Sequence, residues 1–137
     1  MKRVFIDTNV IIDLVAKRQH YEAAATLFSL ADRNQVQLLI SSLSIANLNY
    51  ILGKSIGREK TLQALRDLHL LAHITDLTGK VIQLALNDAS FKDFEDALQY
   101  YSAIEANADV IVTRNSIDFK SSVLPVLSAG EYLATFK

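Results

Sequence analysis

The chain has 137 residues, of which 50% are hydrophobic and 21% are charged. That length fits one compact domain, here residues 1–137, which can bury enough apolar surface to fold without disulfide bonds. The sequence contains no cysteine, which excludes disulfide frameworks, thiolate zinc sites and cysteine nucleophiles. With 14 basic and 15 acidic residues the formal net charge is −1, which argues against a highly basic surface for duplex DNA.

The apolar stretches of the chain are all short. The N-terminal one covers only residues 4–6 before Asp7, which is too short for the core of a signal peptide. No run approaches the ~18 apolar residues that a membrane span requires. These features predict a soluble, cytoplasmic protein with no membrane contact.

Short β-prone runs alternate with helical patterns along the whole chain. Strands are predicted at residues 4–6, 37–40, 73–75, 109–113 and 123–126. Helices are predicted at residues 10–15, 21–33, 42–52, 58–71, 78–87, 93–106 and 129–136. Gly53 is expected to end the third helix, because glycine is the preferred residue just after a helix C-terminus.

This alternation predicts βαβ units, and therefore an α/β fold with a parallel sheet and helices on both faces. Ligands of such sheets bind beyond the carboxyl ends of the strands. The residues that follow Ile6, Ile40 and Val112 are therefore the first candidates for a functional site.

Acidic residues follow two of the predicted strands and open one helix. Asp7 ends the first strand, Asp93 and Asp96 begin the helix at 93–106, and Asp118 lies in the loop after the strand at 109–113. Each of them alone is explained equally well as a helix cap or a turn residue. Together, carboxylates at one edge of a sheet repel each other unless a cation lies between them. Oxygen-only clusters suit Mg²⁺ or Mn²⁺, and such ions promote phosphodiester cleavage.

Three segments resemble the motifs of the PIN domain family. They are VFIDTNVIID at 4–13, DFEDAL at 93–98 and VIVTRN at 110–115, the last followed by Asp118 and Phe119. Their order, their spacing and the total length match the family over the whole chain. The resemblance implies a three-layer α/β/α sandwich with a central parallel sheet of four to five strands. It also implies a metal-dependent ribonuclease, since many members have that activity and many small bacterial ones are VapC-type toxins of toxin–antitoxin pairs.

Carried over position by position, the resemblance implies roles for individual residues. Asp7 matches the first acid of the family and Asp96 the acid that opens the long helix, so both are expected to bind the metal. Asp93 is an accessory acid beside Asp96. Thr113 matches the hydroxyl-bearing residue at the end of the late strand.

Two positions depart from the family pattern. Asn47 stands where the family usually places Glu, and Asn115 stands where it often places Asp, with Asp118 three residues further on. Both changes remove a negative charge from the expected metal site. An amide oxygen can still bind Mg²⁺ or orient a water, but it adds no net charge. The side chain of Asn47 is expected to point at Asp7 and Asp96.

The leading hypothesis is a Mg²⁺- or Mn²⁺-dependent endoribonuclease that cleaves single-stranded or structured RNA. Asp7 and Asp96 bind the metal, and Asp93 or Asp118 assists through waters. Arg114 either holds a substrate phosphate or pairs with Asp93 or Asp118. The residues expected to support substrate or water are Thr8, Asn9, Asn47, Thr113, Arg114 and Asn115.

Two other functions are compatible with the same residues. One is a PIN-like domain with an eroded site that binds RNA or a protein, which the two Asn residues favour. The other is a phosphatase of the haloacid-dehalogenase kind with Asp7 as nucleophile, although such enzymes need Asp at the position of Asn9 and are longer. The helices at 21–33 and 58–71 carry more apolar residues than one small sheet needs. They predict a homodimer or a complex with an antitoxin protein.

Overall fold

The computed structural model describes residues 1–136, and a five-stranded parallel sheet lies at the centre of the molecule. The strand order is β3-β2-β1-β4-β5, so the first strand lies in the middle. Phe5 of β1 is in register with Leu39 of β2 on one side and with Ile111 of β4 on the other. The strands are β1 (Arg3–Ile6), β2 (Gln37–Ser41), β3 (Ala72–Thr75), β4 (Val110–Val112) and β5 (Val126–Leu127).

Helices cover both faces of this sheet. They are α1 (Thr8–Val15), α2 (Tyr21–Asp32), α3 (Ser42–Ile56), α4 (Arg58–Leu71), α5 (Gly79–Leu86), α6 (Phe94–Glu105) and α7 (Ala129–Thr135), with a 3₁₀ turn at Ser116–Phe119. Val4 and Ile6 pack on the face covered by α1–α4 and α7, whereas Phe5 packs on the face covered by α6. This alternation follows from the two-residue period of a strand. The predicted three-layer α/β/α architecture is therefore confirmed.

Two predicted boundaries are wrong. The third helix does not end at Gly53 but continues to Ile56 and ends at Gly57, whose φ of 85° is the left-handed conformation that glycine adopts readily. The last strand begins at Val126 rather than at residue 123. Val123 is 82% exposed, and pairing with β4 starts only at the carbonyl of Pro125, which accepts from the Ile111 N–H.

No helix within residues 1–136 is both long enough and apolar enough to cross a membrane. The longest helix, α3, has 15 residues and includes polar side chains along its length. The position of the site depends on β1. Val4, Phe5 and Ile6 are fully buried, and their packing fixes the position of Asp7, the next residue.

Candidate functional site

A polar cavity of about 230 Å³ lies where the carboxyl ends of the central strands meet the first turns of α1, α3 and α6. This is the edge of the sheet to which the strand-end rule directs attention. Seven of the residues selected from the sequence line it, namely Asp7, Thr8, Asn9, Asn47, Asp96, Asn115 and Asp118. The fold therefore brings the N-terminal motif, the long helix and the late loop to one place.

Asp7 is the N-cap of α1 and is only 9% exposed. Its Oδ1 accepts from the backbone N–H of Thr8 (2.8 Å) and from Nε2 of Gln99 (3.2 Å). Its Oδ2 accepts from the hydroxyl of Thr113 (2.8 Å) and from Nδ2 of Asn9 (3.4 Å). Because α1, α6 and the end of β4 all supply donors, the orientation of this buried carboxylate is fixed.

Asp96 lies in the first turn of α6, after the N-cap Asp93, whose carboxylate accepts from the Glu95 N–H at 2.8 Å. Burial, together with the negative charges of Asp93, Asp118, Asp7 and Glu95, raises the pKa of Asp96 to about 7, and burial is the largest of these causes. The cavity therefore concentrates negative charge around one partly buried carboxyl group.

The end of β4 is tied to α1 by a set of polar contacts. Asn9 donates to the Thr113 hydroxyl at 3.3 Å, and its Oδ1 accepts from the backbone N–H of Arg114 at 3.2 Å. The backbone N–H of Asn115 donates to the same Thr113 hydroxyl at 3.1 Å. Asn9 and Thr113 thus hold the Thr-Arg-Asn segment against the start of α1.

Asn47 differs from its expected orientation. Its Nδ2 donates to the Glu95 carboxylate at 3.4 Å, whereas contacts with Asp7 and Asp96 were expected. Asn47 lies in the second turn of α3, opposite the exposed first turn of α6, so Glu95 is the carboxylate that it reaches. It still lines the cavity together with Asp7 and Asp96.

Arg114 forms its ion pair with Asp13, at 2.8 Å, rather than with Asp93 or Asp118. Asp13 is only 2% exposed, and a carboxylate buried to that extent is costly unless a cation and hydrogen-bond donors compensate it. The pairing that the sequence suggested is therefore wrong. The interior of α1 anchors the guanidinium group beside the cavity.

Asp93 and Asp118 border a second, neighbouring cavity of about 350 Å³, and Asp96 lines both cavities. Lys92 and Lys120 lie on this second cavity. The polar edge of the sheet therefore continues from the Asp7 side to a region with two cationic side chains.

Gln99 is a residue of the site that was not predicted from the sequence; it is 4% exposed and lies three residues after Asp96 on the same face of α6. It donates to Asp7 and, at 2.7 Å, to the hydroxyl of Ser44, and it accepts from the hydroxyl of Ser41. The available signal was a polar residue within the inward, apolar stripe of a helix.

The lining of the cavity is rich in carboxylate and amide oxygens, which are the ligands that Mg²⁺ prefers. Within residues 1–136, no group of three or more His, Cys, Asp or Glu side chains is close enough together to hold a metal ion. Mg²⁺, however, is commonly held by one or two carboxylates, with waters and substrate phosphates completing its shell. Asp7 and Asp96 line one cavity, and the charge of Asp7 helps to raise the pKa of Asp96. The residues therefore fit a hard cation held by two carboxylates.

The raised pKa of Asp96 predicts how stability depends on pH. The folded protein keeps a proton on Asp96 that the unfolded chain releases between the ordinary pKa of 3.8 and the raised pKa of about 7. Stability is therefore lost as the pH rises through this window. In metal-free protein, Asp96→Asn should raise the free energy of unfolding more at pH ~8 than at pH ~5. Urea unfolding of both proteins at the two pH values tests this, and an equal effect at both would contradict it.

Comparisons with known proteins agree with this fold. A family model described as PIN domain matches residues 3–116. Ribonuclease VapC1 of Aquifex aeolicus (strain VF5) is 33% identical over 138 residues, which cover 96% of this chain and 93% of that protein.

Two solved structures share the fold. A chain in the crystal structure of VapBC2 from Rickettsia felis, bound to a DNA fragment from its promoter, has a TM-score of 0.71 and 24% identity; the match covers 92% of this chain and 97% of that one. VapC20 of Mycobacterium tuberculosis, described as a toxin that cleaves the sarcin-ricin loop, has a TM-score of 0.62 and 14% identity; the match covers 79% and 86% of the two chains. The family model and the VapC1 relative span most of the sequence, so the chain belongs to the PIN domain family.

Proposed function

We propose that this PIN domain is a ribonuclease that uses Mg²⁺ or Mn²⁺ held by Asp7 and Asp96. The observation that carries the proposal is the pair of carboxylates in one cavity at the carboxyl edge of the sheet, with the pKa of Asp96 raised to about 7. Such crowding is relieved by a cation. The similarity to Ribonuclease VapC1 supports RNA as the substrate. Membership of the PIN family removes the alternative of a haloacid-dehalogenase phosphatase.

The residues around the cavity suit a phosphodiester substrate. Thr8 and Asn9 lie at the start of α1 and line the cavity with polar side chains, while the Asp7 carboxylate caps that helix. On the other side, Lys92 and Lys120 provide cations for a neighbouring phosphate of single-stranded or structured RNA. Arg114, anchored by Asp13, holds a further phosphate at the margin of the site.

A bound Mg²⁺ or Mn²⁺ supplies charge that stabilises the phosphate oxygens and activates water for in-line displacement. The residues of the chain orient the reactants and handle the proton. Hydrogen bonds from the Thr8 N–H and the Thr113 hydroxyl hold the Asp7 side chain in one orientation, with Asp7 lining the cavity. Asp118 lies on both cavities beside Asp96, where it can accept a proton from the attacking water.

A second candidate is binding of RNA or protein without cleavage. It is favoured by the absence, within residues 1–136, of any group of three acidic or histidine side chains close enough to hold a metal. Asn47 and Asn115 are two of the amides that line the cavity. The two candidates differ in one property, because only the ribonuclease requires the carboxylates of Asp7 and Asp96 for turnover.

We predict that Asp7→Asn and Asp96→Asn each lower Mg²⁺-dependent cleavage of an RNA oligonucleotide by at least ~100-fold, since residues that merely support metal ligands are worth up to that factor. Both should also weaken Mn²⁺ binding in a calorimetric titration. Asp32→Asn, an exposed change at the end of α2, is the matched control and should behave as wild type. Binding of RNA without cleavage by the wild type, unchanged in both variants, would favour the second candidate.

We predict that Asn47→Glu tightens Mn²⁺ binding and slightly lowers the stability of the metal-free protein. A carboxylate at ~4 Å from a cation gains a few kcal/mol at intermediate dielectric before desolvation is subtracted. The added charge also faces Glu95, which explains the cost without metal. Asn49→Glu adds the same charge at an exposed position of the same helix and serves as the control. Weaker or unchanged Mn²⁺ affinity in folded Asn47→Glu would remove Asn47 from the site.

We also propose that the protein pairs with an antitoxin, as the VapBC assemblies with the same fold do. An apolar groove of about 730 Å³ between α3, α4 and β3 offers a surface for a protein partner. It is lined by Ile45, Leu62, Leu65 and Leu70, and Leu70 is 83% exposed. A homodimer of the chain remains a prediction of the sequence.

Sedimentation of the protein, purified alone and after co-expression with the reading frame next to its gene, tests the partner. We expect a dimer or a stable complex with that product. A monomer at high concentration in both preparations would contradict the partner proposal.

A further inference from the structure

The buried amide of Gln99 joins three elements beneath the cavity. From α6 it reaches Asp7 at the end of β1, Ser41 at the end of β2 and Ser44 in the first turn of α3. Gln99 is 4% exposed, and Ser41 and Ser44 are fully buried. A buried polar group with its hydrogen bonds made fixes one arrangement of its neighbours.

The orientation of this amide follows from its partners. Nε2 faces the Asp7 carboxylate at 3.2 Å and the Ser44 hydroxyl at 2.7 Å, and it lies at 3.5 Å from the Thr8 hydroxyl, a longer third contact. A flipped amide would place Oε1 against the carboxylate, and two acceptors repel each other. The contacts of Ser41 support the same orientation of the amide. The Ser41 oxygen accepts from the Ser44 backbone N–H, and its single hydroxyl proton is donated to Oε1 of Gln99.

Counting donors and acceptors also fixes which hydroxyl group donates in the hydrogen bond between Ser44 and Thr8. The Ser44 oxygen accepts from Gln99, so its own proton must go to another acceptor. The Thr8 hydroxyl lies at 2.7 Å from it and the Ser41 hydroxyl at 3.2 Å, and the nearer oxygen is Thr8. Thr8 therefore accepts within the chain, and its own proton is left to be donated toward the cavity that it lines.

We infer that Gln99 is a positioning residue of the site, an inference that rests on the proposed ribonuclease function. Gln99 fixes the rotamer of Asp7 directly. Through Ser44 it also keeps the Thr8 hydroxyl directed at the cavity as a donor to a phosphate oxygen of the RNA.

The matched substitutions are Gln99→Met, which keeps the side-chain length and removes the amide, and Ser102→Ala. Ser102 lies three residues further along α6, is 1% exposed, and its hydroxyl has no hydrogen-bond partner within residues 1–136. We expect Gln99→Met to lower kcat/KM for an RNA oligonucleotide by roughly 10- to 100-fold, as for groups that orient metal ligands. Ser102→Ala should stay within about twofold of wild type, because it removes a hydroxyl that contributes no hydrogen bond.

Substitutions of Thr8 distinguish a positioning role of Gln99 from a merely structural one, because only the positioning role makes the effects of the two residues on kcat/KM depend on each other. Thr8→Val should lower kcat/KM, and Thr8→Ser, which keeps the hydroxyl, should recover most of that loss. Because Gln99 acts on Thr8, Gln99→Met combined with Thr8→Val should lose less than the product of the two single losses. Strictly multiplicative losses in the double variant would overturn the inferred link between Gln99 and Thr8.

A second measurement keeps the inference separate from the proposed function. In ¹⁵N-edited NMR spectra of the metal-free protein, the two Nε2 protons of Gln99 should exchange slowly with solvent and shift strongly in Asp7→Asn. If the Gln99 protons exchange rapidly with solvent and their chemical shifts do not change in Asp7→Asn, the inference is overturned, whether or not RNA is cleaved. Protected protons in a protein without ribonuclease activity would instead support the positioning of Asp7 and remove the proposed function.

If Gln99→Met does not fold, Ser41→Ala replaces it. This change removes the donor to Oε1 of Gln99 and also the N-cap contact with the Ser44 N–H, while the Gln99 amide itself is kept. The amide protons of Gln99 should then exchange faster, and cleavage should fall by less than in Thr8→Val. Unchanged exchange and unchanged cleavage in Ser41→Ala would contradict the directed chain of hydrogen bonds.

Discussion

The carboxylate of Asp7 is the constraint on which the site depends. It emerges from the most deeply buried strand of the sheet and is itself 9% exposed, so its charge must be met by donors. These come from the first turn of α1, from α6 and from the end of β4. The need to compensate one buried charge thus brings α1, α6 and the end of β4 together beside the cavity. The backbone reinforces the arrangement, because the Asp7 N–H donates to the carbonyl of Val112 at 2.9 Å.

Two buried or partly buried acids close to this site are treated differently by the fold. Asp13 is paired with Arg114 at 2.8 Å, which compensates its charge inside the protein. Asp96 lies instead among other carboxylates, and burial together with those charges raises its pKa to about 7. The charge of Asp13 is neutralised within the protein, whereas the repulsion around Asp96 would be relieved by a cation bound from solution. This contrast supports the proposed metal at Asp96, which shares its cavity with Asp7, and a structural ion pair for Asp13.

Much of the fold and part of the site could be predicted from the sequence, for physical reasons that differ between residues. Asp7 is predicted because it follows a strand of a parallel sheet, and Asp96 because the DFEDAL segment resembles a PIN motif; the structure places both on one cavity. Gln99 and the partner of Arg114 could not be found in this way, since both depend on side-chain packing between elements far apart in the chain. Gly53 was wrongly predicted to end α3, because two glycines lie close together and only Gly57 adopts the positive φ, at 85°, that ends the helix.

The central claim is that Asp7 and Asp96 together hold a divalent cation. Anomalous diffraction from a crystal of this protein soaked in Mn²⁺ tests it most directly, because it locates the ion without relying on activity. The account predicts one strong anomalous peak in the cavity, between the carboxylates of Asp7 and Asp96. A well-occupied peak elsewhere with none in this cavity, or no peak at saturating Mn²⁺, would contradict it.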